Sequence, residues 1–201
     1  MRVIRASENR RVRWKNDGGW TTEIARDPAE GEQFRWRISI AEIERDGPFS
    51  SFPGIDRELL LLDGSGIELD IDDAPPRRLA QRFERVRFAG ESRVDCRLLA
   101  GPTRDFNVMA DRALVRAETF ARPLVGSMVI FPEAGVEWFV HVFAGHADAR
   151  DDMQALVLGA GDGLHVDFRG DAAGRVLLDG GGELVLVKFS PPMPDRAASL
   201  P

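Results

Sequence analysis

The sequence lacks the features on which disulfide-bonded, metal-thiolate and membrane proteins depend. Cys96 is the only cysteine among 201 residues, so the chain can form neither an internal disulfide nor a metal site with several cysteines. No run approaches the ~18 to 20 apolar residues that span a bilayer. The basic N-terminal residues are not followed by the apolar segment of a signal peptide. We therefore expect a cytoplasmic protein with no membrane partner.

An excess of positive charge is also lacking. The 27 lysines and arginines are outnumbered by 33 acidic residues, which gives a net charge of −6. Sequence-independent binding to nucleic acid needs a basic surface, so we expect no nucleic-acid partner. Since 43% of the residues are hydrophobic, the chain can bury a substantial core.

The chain does contain short alternating segments separated by turn residues. Residues 67–71 and 164–168 alternate apolar and polar side chains, and 183–189 is a short apolar run, as in β-strands. Glycine-rich turns are predicted at 63–66, 144–146, 159–163 and 179–182. The pattern predicts an all-β protein. Arginine becomes rarer near residue 110, which favours two β-rich halves, 1–110 and 111–201, packed on each other.

The first of three polar segments is residues 14–24, WKNDGGWTTEI. Its two glycines allow close backbone approach, and the surrounding donors and acceptors suit a polar pocket; they are Lys15, Asn16, Thr21 and Glu23. The alternative is a plain hairpin loop before a strand over 21–25, with Trp14 and Trp20 as packing aromatics, and spacing alone favours that alternative.

The second segment is residues 49–57, FSSFPGIDR, which precedes the apolar run 59–62. Pro53 and Gly54 predict a rigid turn that holds Arg57 still enough to grip a small carboxylate. Arg57 is therefore the first candidate for an anion ligand. The alternative is that it caps a carbonyl or pairs with Asp56 or Asp105.

The third segment is residues 101–109, GPTRDFNVM. On a strand, Asp105, Asn107 and Met109 share one face, while Phe106 and Val108 share the other. A buried Asp and Asn must find partners, which Arg57 or Lys15 would supply. The alternative is a polar strand end bonded to neighbouring backbone.

These segments, together with WRISIAEI at 36–43 and LLLLDG at 59–64, resemble the ordered signature segments of the HutD/Ves family. The resemblance spans roughly residues 14–109, and the rest of the chain is similar mainly in its strand pattern. It implies a bicupin of two packed jelly-roll-like β-barrels with few short helices, and commonly a homodimer. The HutD branch is associated with bacterial histidine utilisation as a non-catalytic metabolite sensor or governor, with formylglutamate as a suggested ligand. The Ves branch is linked to stress responses.

The resemblance also implies a ligand site. We expect Arg57 to hold a small carboxylate and Glu23 and Asp105 to hold the arginine in place, with orienting groups from Asn16, Thr21, Ser39 and Asn107. Lys15 completes the candidate set. Where many family members have a third glycine after the asparagine, this chain has Asp17, which adds negative charge near the expected pocket mouth.

No metal and no other cofactor is expected. A metal-dependent cupin uses closely spaced histidines and a glutamate, followed by a later histidine. His141, His146 and His165 include no His-x-His pair, and the alternative is a chance cluster with Glu137. Cys96 has no neighbouring base, which favours inert packing.

We therefore expect a non-catalytic protein that binds small acids. The alternative is a metal-free cupin enzyme, an isomerase or hydrolase acting on a small carboxylic acid, with Glu23 or Asp105 as general base.

Overall fold

The computed structural model describes residues 1–31, 33–170 and 174–192. Within them the backbone forms sixteen β-strands and one three-residue 3-10 helix, Ala6–Glu8. The prediction of an all-β protein is confirmed. No helix in these residues is both long enough and apolar enough to cross a membrane.

The strands are numbered in chain order. They are β1 Arg2–Ile4, β2 Arg10–Arg13, β3 Gly19–Asp27, β4 Trp36–Ile43, β5 Gly47–Pro48, β6 Ile55–Gly64, β7 Ile67–Ile71, β8 Arg77–Leu79, β9 Arg85–Ala89, β10 Val94–Leu98, β11 Thr103–Asp111, β12 Arg116–Ile130, β13 Glu137–Arg150, β14 Ala155–Gly159, β15 Gly163–Asp167 and β16 Val176–Ser190.

Strands β2 to β11 form two sheets that share an apolar core. The larger sheet has the order β2-β3-β4-β11-β6-β9, and the smaller has the order β5-β10-β7-β8. Alternate residues of the larger sheet, among them Leu59 and Leu61, pack against Ile67, Leu69 and Cys96 of the smaller one. This alternation leaves the opposite face of the larger sheet for a second layer of contacts.

The remaining strands form a third sheet of the order β1-β15-β13-β16-β12, with β14 paired to β13. Strand β1 lies at one end of this sheet, where Arg2 is opposite His165, so the first residues of the chain join the strands from 116–190. The face of the larger sheet that is turned away from the smaller sheet packs on β13 and β16. There Trp36 stacks on Phe189 with ring centroids 4.6 Å apart. In the described residues each sheet is an open path, so hydrogen bonding closes none of them into a barrel.

Two of the four predicted turns are wrong. Residues 63–66 and 159–163 do turn between strands, but 144–146 lie inside β13 and 179–182 lie inside β16. A Cβ atom on Gly145 would lie 2.0 Å from the carbonyl oxygen of Gly181, and one on Gly182 would lie 1.9 Å from that of Ala144. These glycines allow two long strands to approach each other where a larger residue would collide.

Candidate functional site

A cavity of about 850 Å³ opens on the polar part of the larger sheet. All eight predicted site residues line it: Lys15, Asn16, Thr21, Glu23, Ser39, Arg57, Asp105 and Asn107. The other lining residues are Arg10, Val12, Arg13, Trp14, Arg26, Arg37, Ala41, Pro48, Phe49, Ser50, Phe52, Leu59 and Met109. The three polar segments therefore meet at one cavity, although they are far apart in the sequence.

Strand register explains this meeting. Across the neighbouring strands β3, β4, β11 and β6, three rows of residues lie side by side. They are Glu23-Ser39-Asn107-Leu59, Thr21-Ala41-Asp105-Leu61 and Arg26-Arg37-Met109-Arg57. Because side chains alternate along a strand, these rows share one face, while Phe106 and Val108 point into the core on the other. The alternation predicted for residues 105–109 is confirmed.

Arg57 is the most enclosed cation of the cavity. It is the third residue of β6, so it lies within the strand and not on the turn that precedes it. Its side chain is buried among the rings of Phe49, Phe52 and Phe88, whose centroids lie 5.3, 5.7 and 4.9 Å from the guanidinium carbon. Burial lowers the pKa of Arg57 to about 10, which still leaves it charged at neutral pH.

The contacts of Arg57 leave much of its hydrogen-bonding capacity unused. One terminal nitrogen lies 3.5 Å from the carbonyl oxygen of Ser50, and Nε has no partner. Asp56, the alternative partner, pairs with Arg112 at 2.9 Å. No carboxylate among the described residues lies within 4.0 Å of Arg57. A buried guanidinium with free donors is a binding group for an anion.

Asp105 and Asn107 are the acceptors of the site. Asp105 is 1% exposed, and neither of its carboxylate oxygens has a hydrogen-bond partner. Burial raises the pKa of Asp105 to about 7, although the charge of Arg57 opposes that rise. The side-chain oxygen of Asn107 is also buried without a partner. Buried polar atoms are usually bonded, so these atoms mark a place where a ligand or water would bind.

Glu23 has a different partner from the one expected. Its Oε2 accepts a hydrogen bond of 2.6 Å from Nε of Arg37, so it holds Arg37 and not Arg57. Arg37 is a cavity residue that the candidate set omitted. A signal for it was present, because Arg37 and Ser39 are two residues apart on an alternating strand and must share a face.

The segment 14–24 is both a hairpin loop and part of the cavity wall. Residues 14–18 form the loop between the paired strands β2 and β3, and residues 19–24 belong to β3. Trp14 Nε1 donates to Thr21 Oγ1 at 2.8 Å, and Asn16 Oδ1 accepts from the Gly18 amide at 3.0 Å. A Cβ atom on Gly19 would lie 2.1 Å from the carbonyl oxygen of Glu42, so a glycine is needed there.

Positive charge dominates the cavity wall. Six basic side chains line it, against the two carboxyl groups of Glu23 and Asp105. The basic residues are Arg10, Arg13, Lys15, Arg26, Arg37 and Arg57. Asp17 lies outside the lining, and its carboxylate accepts from Arg13 Nε at 3.4 Å. The wall therefore suits an anionic ligand.

The histidines lie elsewhere. His165 Nε2 lies 2.9 Å from Glu137 Oε2 in a buried ionic cluster, and burial lowers the pKa of His141 to about 4, so its imidazole is neutral at pH 7. No group of three His, Cys, Asp or Glu side chains in the described ranges could hold a metal ion. Burial raises the pKa of the Cys96 thiol to about 12, which suits its place in the core.

The all-β architecture agrees with a cupin-like fold. A cupin 2 conserved barrel domain protein from Leptotrichia buccalis superposes with a TM-score of 0.53, covering 85% of this chain and 88% of that one. At 9% identity this likeness concerns the fold alone.

The chain belongs to the HutD family, whose model matches residues 6–186. HutD from Pseudomonas fluorescens SBW25, in a formate condition, is 32% identical with a TM-score of 0.76, covering 94% of this chain and 98% of that one.

Two curated relatives each match about half of the chain. An uncharacterised 21.2 kDa protein in the hutC 3′ region of Pseudomonas putida is 46% identical over 110 residues, 54% of this chain and 57% of its own length. Protein Ves of Escherichia fergusonii is 39% identical over 97 residues, 48% of this chain and 50% of its own. The chain therefore spans about half the length of the curated relatives it matches.

Proposed function

We propose that this protein binds small carboxylic acids without transforming them. The observation that supports this proposal best is the buried guanidinium of Arg57, which faces a cavity and has no carboxylate within 4.0 Å in the described part of the chain. Keeping a cation out of water without a partner costs free energy, and a bound carboxylate would recover that cost through two parallel hydrogen bonds.

The cavity offers a ligand more than one charge. In this proposal the carboxylate of the acid binds Arg57. The amide of Asn107 and the hydroxyls of Ser39 and Thr21 orient the acid. Asn16 contacts it from the hairpin side of the cavity. The basic residues of the wall attract anions and leave room for a second carboxylate. Formylglutamate, which carries two carboxylates and a formamide, fits this chemistry.

In the cell, the proposed role is that of a HutD-like sensor or governor of histidine utilisation. Two relatives support it: the Pseudomonas fluorescens protein named HutD and the Pseudomonas putida protein named for the hutC region. We further propose that the two sheets of β2 to β11 form one cupin unit and that the third sheet forms a second, as in a bicupin. We also propose that the protein is a homodimer.

Thermal unfolding with added acids tests the binding function. Formylglutamate, glutamate, urocanate and formate should be compared, and at least one should raise the melting temperature by an amount that grows with its concentration. Arg57→Ala should abolish the shift. Arg104→Ala removes an exposed arginine of β11 that bonds Asp63 outside this cavity, and should retain the shift. No shift with any acid, or an equal shift in Arg57→Ala, would overturn the proposal.

One observation favours the enzymatic alternative. Asp105 is a buried carboxyl without a partner whose pKa is raised to about 7, and such a group can act as a general base. Incubation of each acid with the protein, followed by NMR, separates the two functions. Binding alone broadens the ligand signals, whereas an isomerase or hydrolase makes new ones.

A further inference from the structure

Asp105 is a cavity carboxyl with no bonded partner. The titratable groups that surround it come from every neighbouring element. They are Arg57 on β6, Arg37 on β4, Glu23 and Arg26 on β3, Arg10 and Arg13 on β2, Lys15 in the hairpin and Cys96 on β10. Glu23 and Arg37 are bonded to each other, and the thiol of Cys96 is neutral. Arg57 and Asp105 are the buried cavity groups without an ionic partner among the described residues, and Asp105 is the one of the two whose charge can change near neutral pH.

An acid that binds Arg57 brings a second carboxylate into the space that Asp105 faces. Two carboxylates in one enclosed site cannot both stay ionised without a large free-energy cost, so one of them takes a proton. A protonated Asp105 would also gain a hydrogen-bonding role, because its O–H can donate to the ligand. The same change would give a partner to an oxygen that now has none.

We propose that Asp105 takes up one proton from solvent when a small carboxylate binds, so that the ligand is held between the guanidinium of Arg57 and the O–H of Asp105. This inference rests on the acid-binding function proposed above and adds a pH dependence to it. The proton comes from the solvent or buffer and forms the O–H bond of Asp105, and no other bond forms or breaks. The uptake is inexpensive near neutrality, since burial already raises the pKa of Asp105 to about 7.

The sign of the effect follows from linkage. Below about pH 6 Asp105 already carries its proton, and the affinity for acids should be constant. Above about pH 7.5 the free protein must first be protonated, so the affinity should fall by about tenfold for each pH unit. Arg57 keeps its charge throughout this range, because its pKa is about 10.

Calorimetry measures the proton directly. Formate and formylglutamate are titrated into the protein at pH 8 in triethanolamine and in Tris, which are not anions and whose ionisation heats differ. The expected result is a difference in binding heat that corresponds to uptake of nearly one proton. Asp105→Asn should bind with the same heat in both buffers and with an affinity that does not change between pH 6 and 8.5.

The outcomes separate this inference from the function on which it rests. If neither acid binds in any buffer, the acid-binding function fails and the proton uptake fails with it. If the wild-type protein binds an acid but the heat does not depend on the buffer, only the proton uptake is overturned. Asp63→Asn makes the same chemical change on β6 outside the cavity and should leave the uptake intact.

A second measurement does not depend on a folded variant. The carboxyl carbon of Asp105 can be followed by NMR in wild-type protein labelled with ¹³C-aspartate. It should titrate near pH 7 without ligand and at least two pH units higher with saturating formylglutamate. An unchanged titration midpoint in the bound state would contradict the proposal.

Discussion

Arg37 Nε donates a 2.6 Å hydrogen bond to Glu23 Oε2, and this ion pair satisfies one cation of the cavity while leaving the other unpaired. Arg57, two strands away in the same row of the sheet, has three aromatic rings around it and no carboxylate within 4.0 Å in the described residues. Of these two cavity arginines, Arg37 is therefore neutralised by an ion pair and Arg57 is not. The proposal that the protein binds small acids therefore rests on Arg57.

Replacing Arg57 with Met should stabilise the protein and abolish acid binding. Lowering the pKa of Arg57 from 12.5 to about 10 corresponds to about 3 kcal/mol at ~1.4 kcal/mol per pH unit. Cation–π contacts at a desolvated site return about 2 kcal/mol. We therefore expect Arg57→Met to gain about 1 kcal/mol, or about 2 to 4 °C in melting temperature. A lower melting temperature together with retained binding of formate would contradict this account of the site.

Replacing Glu23 with Gln should tighten the binding of anions. The Arg37 side chain would lose its carboxylate partner and become a second cation for the ligand. Both side chains are partly exposed, so the loss of stability should stay below about 1 kcal/mol. Calorimetry with formylglutamate should show a severalfold higher affinity for Glu23→Gln than for the wild type. Equal or weaker binding would mean that Glu23 contacts the ligand directly.

Replacing Asp105 with Asn should stabilise the free protein in a pH-dependent way. The folded pKa of about 7 lies above the ordinary value of 3.8, so folding favours the protonated carboxyl. The resulting penalty is absent below about pH 3.8, grows as the pH rises and is complete above about pH 7. The gain from Asp105→Asn should therefore be about 2 to 3 kcal/mol larger at pH 8 than at pH 5. Urea unfolding at both pH values measures it, and a gain that does not depend on pH would contradict the assignment.

Much of this site follows from the sequence because strands alternate with a period of two. Asp105, Asn107 and Met109 had to share a face, and so did Arg37 and Ser39. The hydrogen-bond partners of these side chains could not be predicted in the same way. Glu23 pairs with Arg37 and not with Arg57 because of the register of β3 against β4 and the irregularity between Glu23 and Ala25. No local sequence pattern encodes either feature.

The same limit explains the two wrong turns. Glycine clusters occur both where a chain reverses and where two strands touch closely, and a single sequence does not distinguish these causes. Gly145 of β13 is opposite Gly182 of β16, and His146 is opposite Gly181, so the close approach of the two strands accounts for the glycines in both segments. The position of β1 in the sheet of the second half is likewise a long-range pairing.

Replacing Glu137 with Gln should destabilise the contact between the larger sheet and the sheet that contains β13 and β15. Oε1 of Glu137 accepts hydrogen bonds of 3.0 Å from two nitrogens of Arg35, and Oε2 lies 2.9 Å from His165 Nε2. Arg35 also contacts Asp27, so the cluster links residues before β4 with β13 and β15. Removing one member of a buried ionic cluster costs about 3 to 5 kcal/mol, so the melting temperature should fall by at least about 6 °C.

A surface pair and a change of pH provide the controls for this prediction. Glu133→Gln removes the partner of Lys188 from an exposed position, and it should cost less than about 1 kcal/mol. Burial alone would raise the pKa of Glu137, but hydrogen bonds from His165 and Arg35 lower it below 4.5. The stability that Glu137 contributes is therefore present above about pH 4.5 and is lost as the pH falls through its folded pKa. The difference between wild type and Glu137→Gln should accordingly shrink on acidification below pH 4.5. A constant difference would show that the ionised form of Glu137 is not what binds Arg35 and His165.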